Sequence, residues 1–345
     1  MTVNTVDKLY ADRKLYSSKD MFSPPSERLP HVIRLELTTG CSWGRCTYCE
    51  GYDGVPHRVK PFEEYKEHVD EVFRRIDKRW DLRRVFIGGG NALEVGTEEL
   101  SRAIDYTRRK FRERSYNHNP PRRISAYGRT EDIITHGREG LNWLYNFGEG
   151  LIMIYWGAET GSSGVLRYIK KGDRKDKLEE AAEIVRSTGI ETSVMIMPGA
   201  GGIKFYEEHM KETARILGRI KPKFITFMGI NPGIGTEYYR RMAEEEKAGT
   251  NRPLTDYEIA TQTIGIIEKM LQFNTKVGMF GKGVDAVGNN PLNFNFRLYA
   301  DDDDKDFIIT DLRRELKRKV EVGQIKKEVK REPKKRTLLS MFSRS

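Results

Sequence analysis

The chain has 345 residues, 37% of them apolar, with 61 Lys and Arg against 51 Asp and Glu for a formal net charge of +10. That length and apolar content supply a large buried core, which excludes a disordered chain and a small scaffold held by disulfides. The longest apolar run, LIMIYWGA at 151–158, falls far short of the ~20 residues of a membrane helix, and MTVNTVDKLYADRK lacks a leader's apolar stretch, so the expected location is the cytoplasm.

Residues 1–30 read as an N-terminal extension. VIRLELTTG (32–40) reads as a strand and leads into a loop holding all three cysteines, Cys41, Cys46 and Cys49. PFEEYKEHVDEVFRRI follows as a helix, with Phe62, Tyr65, Val69, Val72, Phe73 and Ile76 at helical spacing and Pro61 at its start. The alternation then repeats. RRVFIGGG (83–90), RRISAYG (122–128), LIMIYWGAE (151–159), TSVMIMPG (192–199) and KFITFMGINPG (223–233) read as strands, separated by amphipathic stretches. Six strand–helix units predict a parallel α/β sheet, doubly wound or a barrel. Both arrangements place ligands at the carboxyl ends of the strands.

Residues 236–312 read as a C-terminal cap: two helices around a Pro-containing turn, an irregular Asn- and Gly-rich segment, the acidic run Asp301–Asp304, read as a solvated lead-in, and a closing helix. The charge excess is local. Residues 313–345 hold 13 Lys or Arg and 4 Glu, or +9, so the rest is nearly neutral. This basic tail is read as a flexible, solvated extension, with an arm for RNA, acidic lipid or a partner protein as the alternative. Leu338, Leu339, Met341 and Phe342 near its end are apolar enough to dock on such a surface.

Three cysteines cannot build a disulfide framework, which points to a reducing compartment and to thiolates kept as ligands. Their spacing is CxxxxCxxC, on a loop where Gly40 and Gly44 let the side chains converge. Structural zinc prefers four protein ligands, and the nearest fourth is His57. A four-iron cluster held by three cysteines instead leaves one iron open to a small molecule. Both readings stand on the residues alone.

The loop resembles the cluster motif of the radical S-adenosylmethionine (SAM) enzymes, whose common form is CxxxCxxC with an aromatic residue before the last cysteine, here Tyr48. It departs by one extra residue between the first two cysteines. Gly88, Gly89 and Gly90 resemble the family's glycine motif, which receives the amino group of SAM, although the Glu that often ends it is replaced by Gly90 or Asn91. WGAETGSSGVLRYIKKG resembles the fourth-strand signature of the subgroup containing the Elongator catalytic subunit, the methylthiotransferases and the coproporphyrinogen dehydrogenases. MIMPGAGG and INPGIGTEYYRRM resemble the fifth-strand turn and the sixth-strand exit.

The resemblance implies a partial (β/α)6 barrel of TIM type over residues 31–235, a 4Fe-4S cluster on Cys41, Cys46 and Cys49, and SAM as cosubstrate. It places Glu159 facing the cofactor, Lys171 near its carboxylate, and Met197 at the turn that packs against adenine. It implies reductive cleavage of SAM to a 5′-deoxyadenosyl radical, oxygen sensitivity, and a low-potential donor such as ferredoxin or flavodoxin. With every cysteine committed, no auxiliary cluster or methyl-carrier cysteine is available. A small-molecule or peptide substrate is preferred to tRNA because the barrel is nearly neutral. Tyr127, Arg129, Asn231, Asp285 and Asn289 are candidate substrate contacts, while His68 and His209 are expected on helix surfaces.

Overall fold

The computed structural model describes residues 9–17, 23–28, 31–77, 81–115, 118–147, 150–279, 291–292, 295–298 and 304–327. Strand β1 (Val32–Glu36) runs into the short β2 (Thr38–Thr39), which pairs with β3 (Arg58–Val59) across the cysteine loop. Next come α1 (Phe62–Arg75), β4 (Arg84–Gly88), α2 (Thr97–Arg114), β5 (Arg123–Gly128), α3 (Thr130–Asn146) and β6 (Leu151–Glu159). The short α4 (Ser163–Tyr168) precedes α5 (Lys175–Arg186), β7 (Glu191–Ile196), α6 (Tyr206–Ile220), β8 (Phe224–Phe227), α7 (Glu237–Lys247) and α8 (Asp256–Lys269). Strands β9 (Thr275–Met279) and β10 (Asn295–Leu298) and helix α9 (Asp304–Glu321) follow.

All six expected strands form one sheet, in the order β1-β4-β5-β6-β7-β8-β9-β10, parallel except for the antiparallel β9–β10 pair. Among the described residues the sheet does not close, since β1 and β10 are its edges. It is strongly curled. Laid flat, β4 and β10 would stand roughly 29 Å apart at ~4.8 Å per strand, yet Arg84 of β4 and Arg297 of β10 line the same cavity. The α/β architecture of a partial barrel is therefore present, with two strands more than the six expected. TKVGM and NFRL are short, and their Lys and Asn residues hide a strand pattern that only pairing completes, β9 with β8 and β10 with β9.

Alternate residues face opposite sides of each strand. In β6 the even residues Ile154, Trp156 and Ala158 turn to the helices and are buried, with Trp156 Nε1 donating to Thr130 Oγ1 of α3 at 3.1 Å. The odd residues Met153 and Tyr155 line the inner face. Helix α1 buries Tyr65, Val69, Val72 and Phe73 on one stripe, and α8 opens with a reciprocal Thr255–Glu258 capping box.

The free edge of β1 is finished by side chains. Tyr10 Oη donates to the Val32 carbonyl and accepts from Arg34 N, both at 3.1 Å. Tyr16 Oη donates to the Arg34 carbonyl at 2.8 Å, and Glu36 N donates to His68 Nε2 at 2.9 Å. Part of the expected N-terminal extension is thus built into the fold, with Tyr10 and Tyr16 fully buried.

The basic segment likewise begins as structure. Residues 313–321, expected to open a flexible tail, continue α9, and Leu316 and Ile325 are buried. Arg313 pairs with Glu268 at 2.9 Å, and Lys319 Nζ donates to the Pro291 carbonyl at 3.0 Å. Residues 328–345, Leu338 to Phe342 included, lie outside the described residues. Among the described residues no helix is long and apolar enough to cross a membrane.

Candidate active site at the carboxyl ends of the strands

The cysteine loop leaves β2 and is sewn to two distant segments. Thr47 N donates to the Ile169 carbonyl at 3.0 Å, Tyr238 N donates to the Thr47 carbonyl at 2.9 Å, and Trp43 Nε1 donates to the Lys170 carbonyl at 2.8 Å. The Trp43 ring is flanked by the guanidinium groups of Arg45 and Arg129 at 5.1 and 5.0 Å. All three cysteines are free thiols, with Cys41 and Cys46 half-buried and Cys49 reaching solvent. Burial pushes the Cys46 thiol up to about 11; Lys171 opposes this, while Glu159, Cys49 and Cys41 add to it. The three sulfurs and the Glu159–Lys171 pair therefore share one electrostatic neighbourhood. Among the described residues no three Cys, His, Asp or Glu side chains converge tightly enough to hold a single ion.

The glycine motif abuts this loop directly. Gly88 ends β4 opposite Glu36, and its carbonyl accepts from Leu37 N at 3.1 Å. Gly89 has φ of +109°, and a Cβ there would stand 2.5 Å from Thr38 Oγ1. A Cβ on Gly90 would strike the Gly40 carbonyl and lie 2.8 Å from Cys41 Cα. Only hydrogen fits at both positions. Tyr52 Oη donates to the Gly89 carbonyl at 2.6 Å and fixes the turn from the other side. Asn91 is buried, with Nδ2 donating to Asp132 Oδ2 at 2.6 Å, so it is committed to the capping carboxylate of α3.

Glu159 closes β6 beside a register shift and adopts φ of +62°. A non-glycine residue there is strained, and buried strain of this kind collects at functional sites. Its Oε1 lies 3.2 Å from Lys171 Nζ, with both residues buried. A Cβ on Gly157 would come within 2.8 Å of Glu159 Oε1 and 3.1 Å of Lys171 Nζ, so this glycine makes room for the pair. Burial alone would lower the Lys171 ammonium, but Glu159, Cys46 and Asp173 outweigh it and hold the group charged. Tyr48 is raised well above its usual range by burial, then by Glu159, Cys46 and Cys49. Met197 N donates to the Glu159 carbonyl at 2.9 Å, and Met197 and Tyr48 pack on one apolar cluster with Tyr168 and Tyr238.

Cys41, Cys46, Cys49, Tyr48, Gly88–Gly90, Glu159, Lys171 and Met197 thus meet at one mouth of the curled sheet. Of the other candidates, Arg129 stays with the cysteine loop through Trp43. His57 is exposed, with Nε2 2.8 Å from Glu94 Oε1. Tyr127 is buried edge-on against Phe86 at 5.1 Å, and Asn231 is exposed after β8. Asp285, Asn289 and Asp301–Asp303 lie outside the described residues, and Asp304 opens α9.

His68 and His209, expected on helix surfaces, are buried at 7% and 0% exposure. His68 falls on the stripe of Tyr65 and Val72, a signal present in the sequence. His209 faces inward with Thr213 and Leu217, its Nδ1 2.6 Å from Thr160 Oγ1. Burial drives His68 down to about 3 and His209 down to about 4. Trp43 and Tyr52 escape a reading by motif because their roles depend on chain crossings, and Gly157 and Asp173 because their roles appear only once Glu159 and Lys171 are seen to pair.

Residues 35–215, more than half of the chain, match the profile of the radical SAM superfamily. The chain belongs to this superfamily. No curated protein matches its sequence. Among solved structures, coproporphyrinogen III oxidase HemN from Escherichia coli, a radical SAM enzyme, is similar with a TM-score of 0.50 at 13% identity over 75% of this chain and 61% of that one. An N-terminally truncated Elp3 from Methanocaldococcus infernus gives 0.47 at 12% identity, over 86% and 64%. Methylornithine synthase PylB gives 0.45 at 16% identity, over 95% and 94%. This radical SAM protein therefore spans less than two thirds of the length of HemN and of that Elp3, and the likenesses bear on the fold alone.

Proposed function

We propose that Cys41, Cys46 and Cys49 hold a 4Fe-4S cluster and that SAM binds beside it. The donor set fits: three thiols on one tethered loop, with the Lys171 ammonium next to Cys46 to offset thiolate charge. Thiols that ligate three different irons need not converge on one point. Bound together, the two groups supply reductive cleavage of a carbon–sulfur bond and a 5′-deoxyadenosyl radical that abstracts hydrogen from a substrate.

The protein's own share is placement. The backbone of Gly88–Gly90, forced against Cys41, offers carbonyl oxygens to an amino group. Lys171, held by Glu159, offers its cation to a carboxylate, and Tyr48 and Met197 supply an apolar wall for a nucleobase. The carrying observation is the meeting of Cys46, Tyr48, Glu159 and Lys171 around the strained end of β6. His57, committed to Glu94, favours this over a zinc site with His57 as fourth ligand. The expected substrate is a small molecule or peptide, and the expected electron donor is of the ferredoxin or flavodoxin type.

The test is anaerobic reconstitution, assay of iron and sulfide, then reduction by dithionite with SAM. Formation of 5′-deoxyadenosine by the wild type, and none by Cys46→Ala, is the expected result. Zinc in place of iron, with SAM left intact, would overturn it.

A further inference from the structure

Beneath the mouth, the inner face of the sheet encloses a cavity of about 610 Å³, within the size range of ligand sites. It opens toward β9 and β10, where Lys276, Asn295 and Arg297 are exposed. Strands buried in parallel sheets ordinarily read as continuous apolar runs. Here the inner face alternates polar residues into them: Arg84 in β4, Arg123 and Ser125 in β5, Ser193 in β7 and Thr226 in β8. Among the described residues the cavity lining carries Arg84, Arg123, Lys276 and Arg297 and no Asp or Glu.

Arg84 and Arg123 are the first residues of β4 and β5, so the charge lies at the amino-terminal ends, opposite the cysteine mouth. From Arg123 to Gly128 is five residue steps, roughly 16 Å at ~3.3 Å per step. An apolar wall joins the two ends. Met153, Phe224 and Met195 line it, and Met195 Cε would lie 3.6 Å from a Cβ on Gly157, beside the Glu159–Lys171 pair.

Within the cationic end, Glu27 is fully buried and its Oε1 accepts from Arg123, Ser125 and Tyr155. Its Oε2 has no hydrogen-bond partner among the described residues, and Arg84 Nε stands 3.9 Å from it. The buried Nε atoms of Arg84 and Arg123 also lack hydrogen-bond partners among those residues. Leaving such groups unmade is costly. One carboxylate against two guanidinium groups leaves a positive charge over.

We propose that this cavity binds the substrate as an elongated organic anion, its carboxylate or phosphate held by Arg84, Arg123 and Lys276. Its apolar body lies along Met153, Phe224 and Met195, and its reacting carbon points to the Glu159–Lys171 end. This last point rests on the radical chemistry proposed above; the anion site itself does not.

Isothermal titration of the full chain with three ligands of one skeleton tests it: 4-phenylbutyrate, 4-phenylbutyl phosphate and 4-phenylbutylamine. Saturable binding of the anions, with the amine at least tenfold weaker, is expected, and the tighter anion identifies the headgroup. Lys276→Glu, at an exposed position, weakens the anions at least tenfold, and Arg123→Gln does the same where circular dichroism shows it folded. Equal affinity for the amine, no saturable binding of either anion, or an unchanged affinity in Lys276→Glu overturns the proposal. Cys46→Ala separates the two claims: it binds 4-phenylbutyrate like the wild type while forming no 5′-deoxyadenosine. Loss of its anion binding would count against a cavity independent of the cluster loop.

Discussion

Two buried carboxylates bracket the inner face of this sheet. Glu159 at the carboxyl ends meets Lys171 twelve residues later, across a short helix and a strained turn. Glu27 at the amino ends meets Arg123 from a separate segment of chain, ninety-six residues away. The first pair is local, asymmetric and set beside three thiols; the second closes a long loop and ties a terminal segment into the core. The first is the pair proposed to serve a cofactor; the second holds the scaffold and borders a cavity. Similar chemistry serves both, and surroundings decide the difference.

The largest expected effect breaks the first pair. Glu159→Gln and Lys171→Met each slow 5′-deoxyadenosine formation by about 100-fold, because a displaced cosubstrate loses alignment with the cluster. The double variant is no slower than either single one, as groups acting as a unit are not additive. Rates and KM for SAM measured on all three check this, and multiplicative losses would mean that the residues act separately.

Breaking the second pair costs stability. Glu27→Ala removes the carboxylate that pairs the Arg123 guanidinium, and lowers the unfolding free energy by about 3 kcal/mol, read from urea denaturation. A loss within error would show that solvent already screens this end.

A smaller effect is pH-dependent. His68 is neutral in the fold, with its pKa pushed down to about 3 by burial first and Lys60 second, against ~6.5 for an unfolded histidine. The unfolded chain therefore binds the extra proton between those values. Stability is kept above pH 6.5 and falls as pH drops toward 3. His68→Gln flattens that slope in thermal melts at pH 7, 6, 5 and 4, and an unchanged slope would assign the acid loss to the carboxylates. Smallest is Tyr16→Phe, about 1 kcal/mol for one buried hydrogen bond, measured by the same melts.

What the sequence discloses follows from how local each feature is. Alternating apolar runs mark the six principal strands, and adjacent motifs mark the cysteines, the three glycines, Glu159 and Lys171. Trp43 and Tyr52 act through chain crossings, which no spacing reveals. Glu27 stands in a segment without periodicity, and its partners lie on β5 and β6. His68 was within reach, since its stripe on α1 is apolar, but a lone polar residue there reads as surface until Glu36 N is seen to need an acceptor. Strand β9 becomes a strand only once β8 offers an edge.

The finished edge of β1 carries a consequence for the protein in solution. An exposed strand edge is a template for recruiting another chain, and here its valences are taken by two phenols and an imidazole. Tyr10 and Tyr16 of residues 9–17, with His68 of α1, therefore serve as insulation against polymerisation. A chain cut back to residue 31 keeps every residue of the cysteine mouth, yet bares a sticky ribbon whose fate is fibrous self-association rather than catalysis.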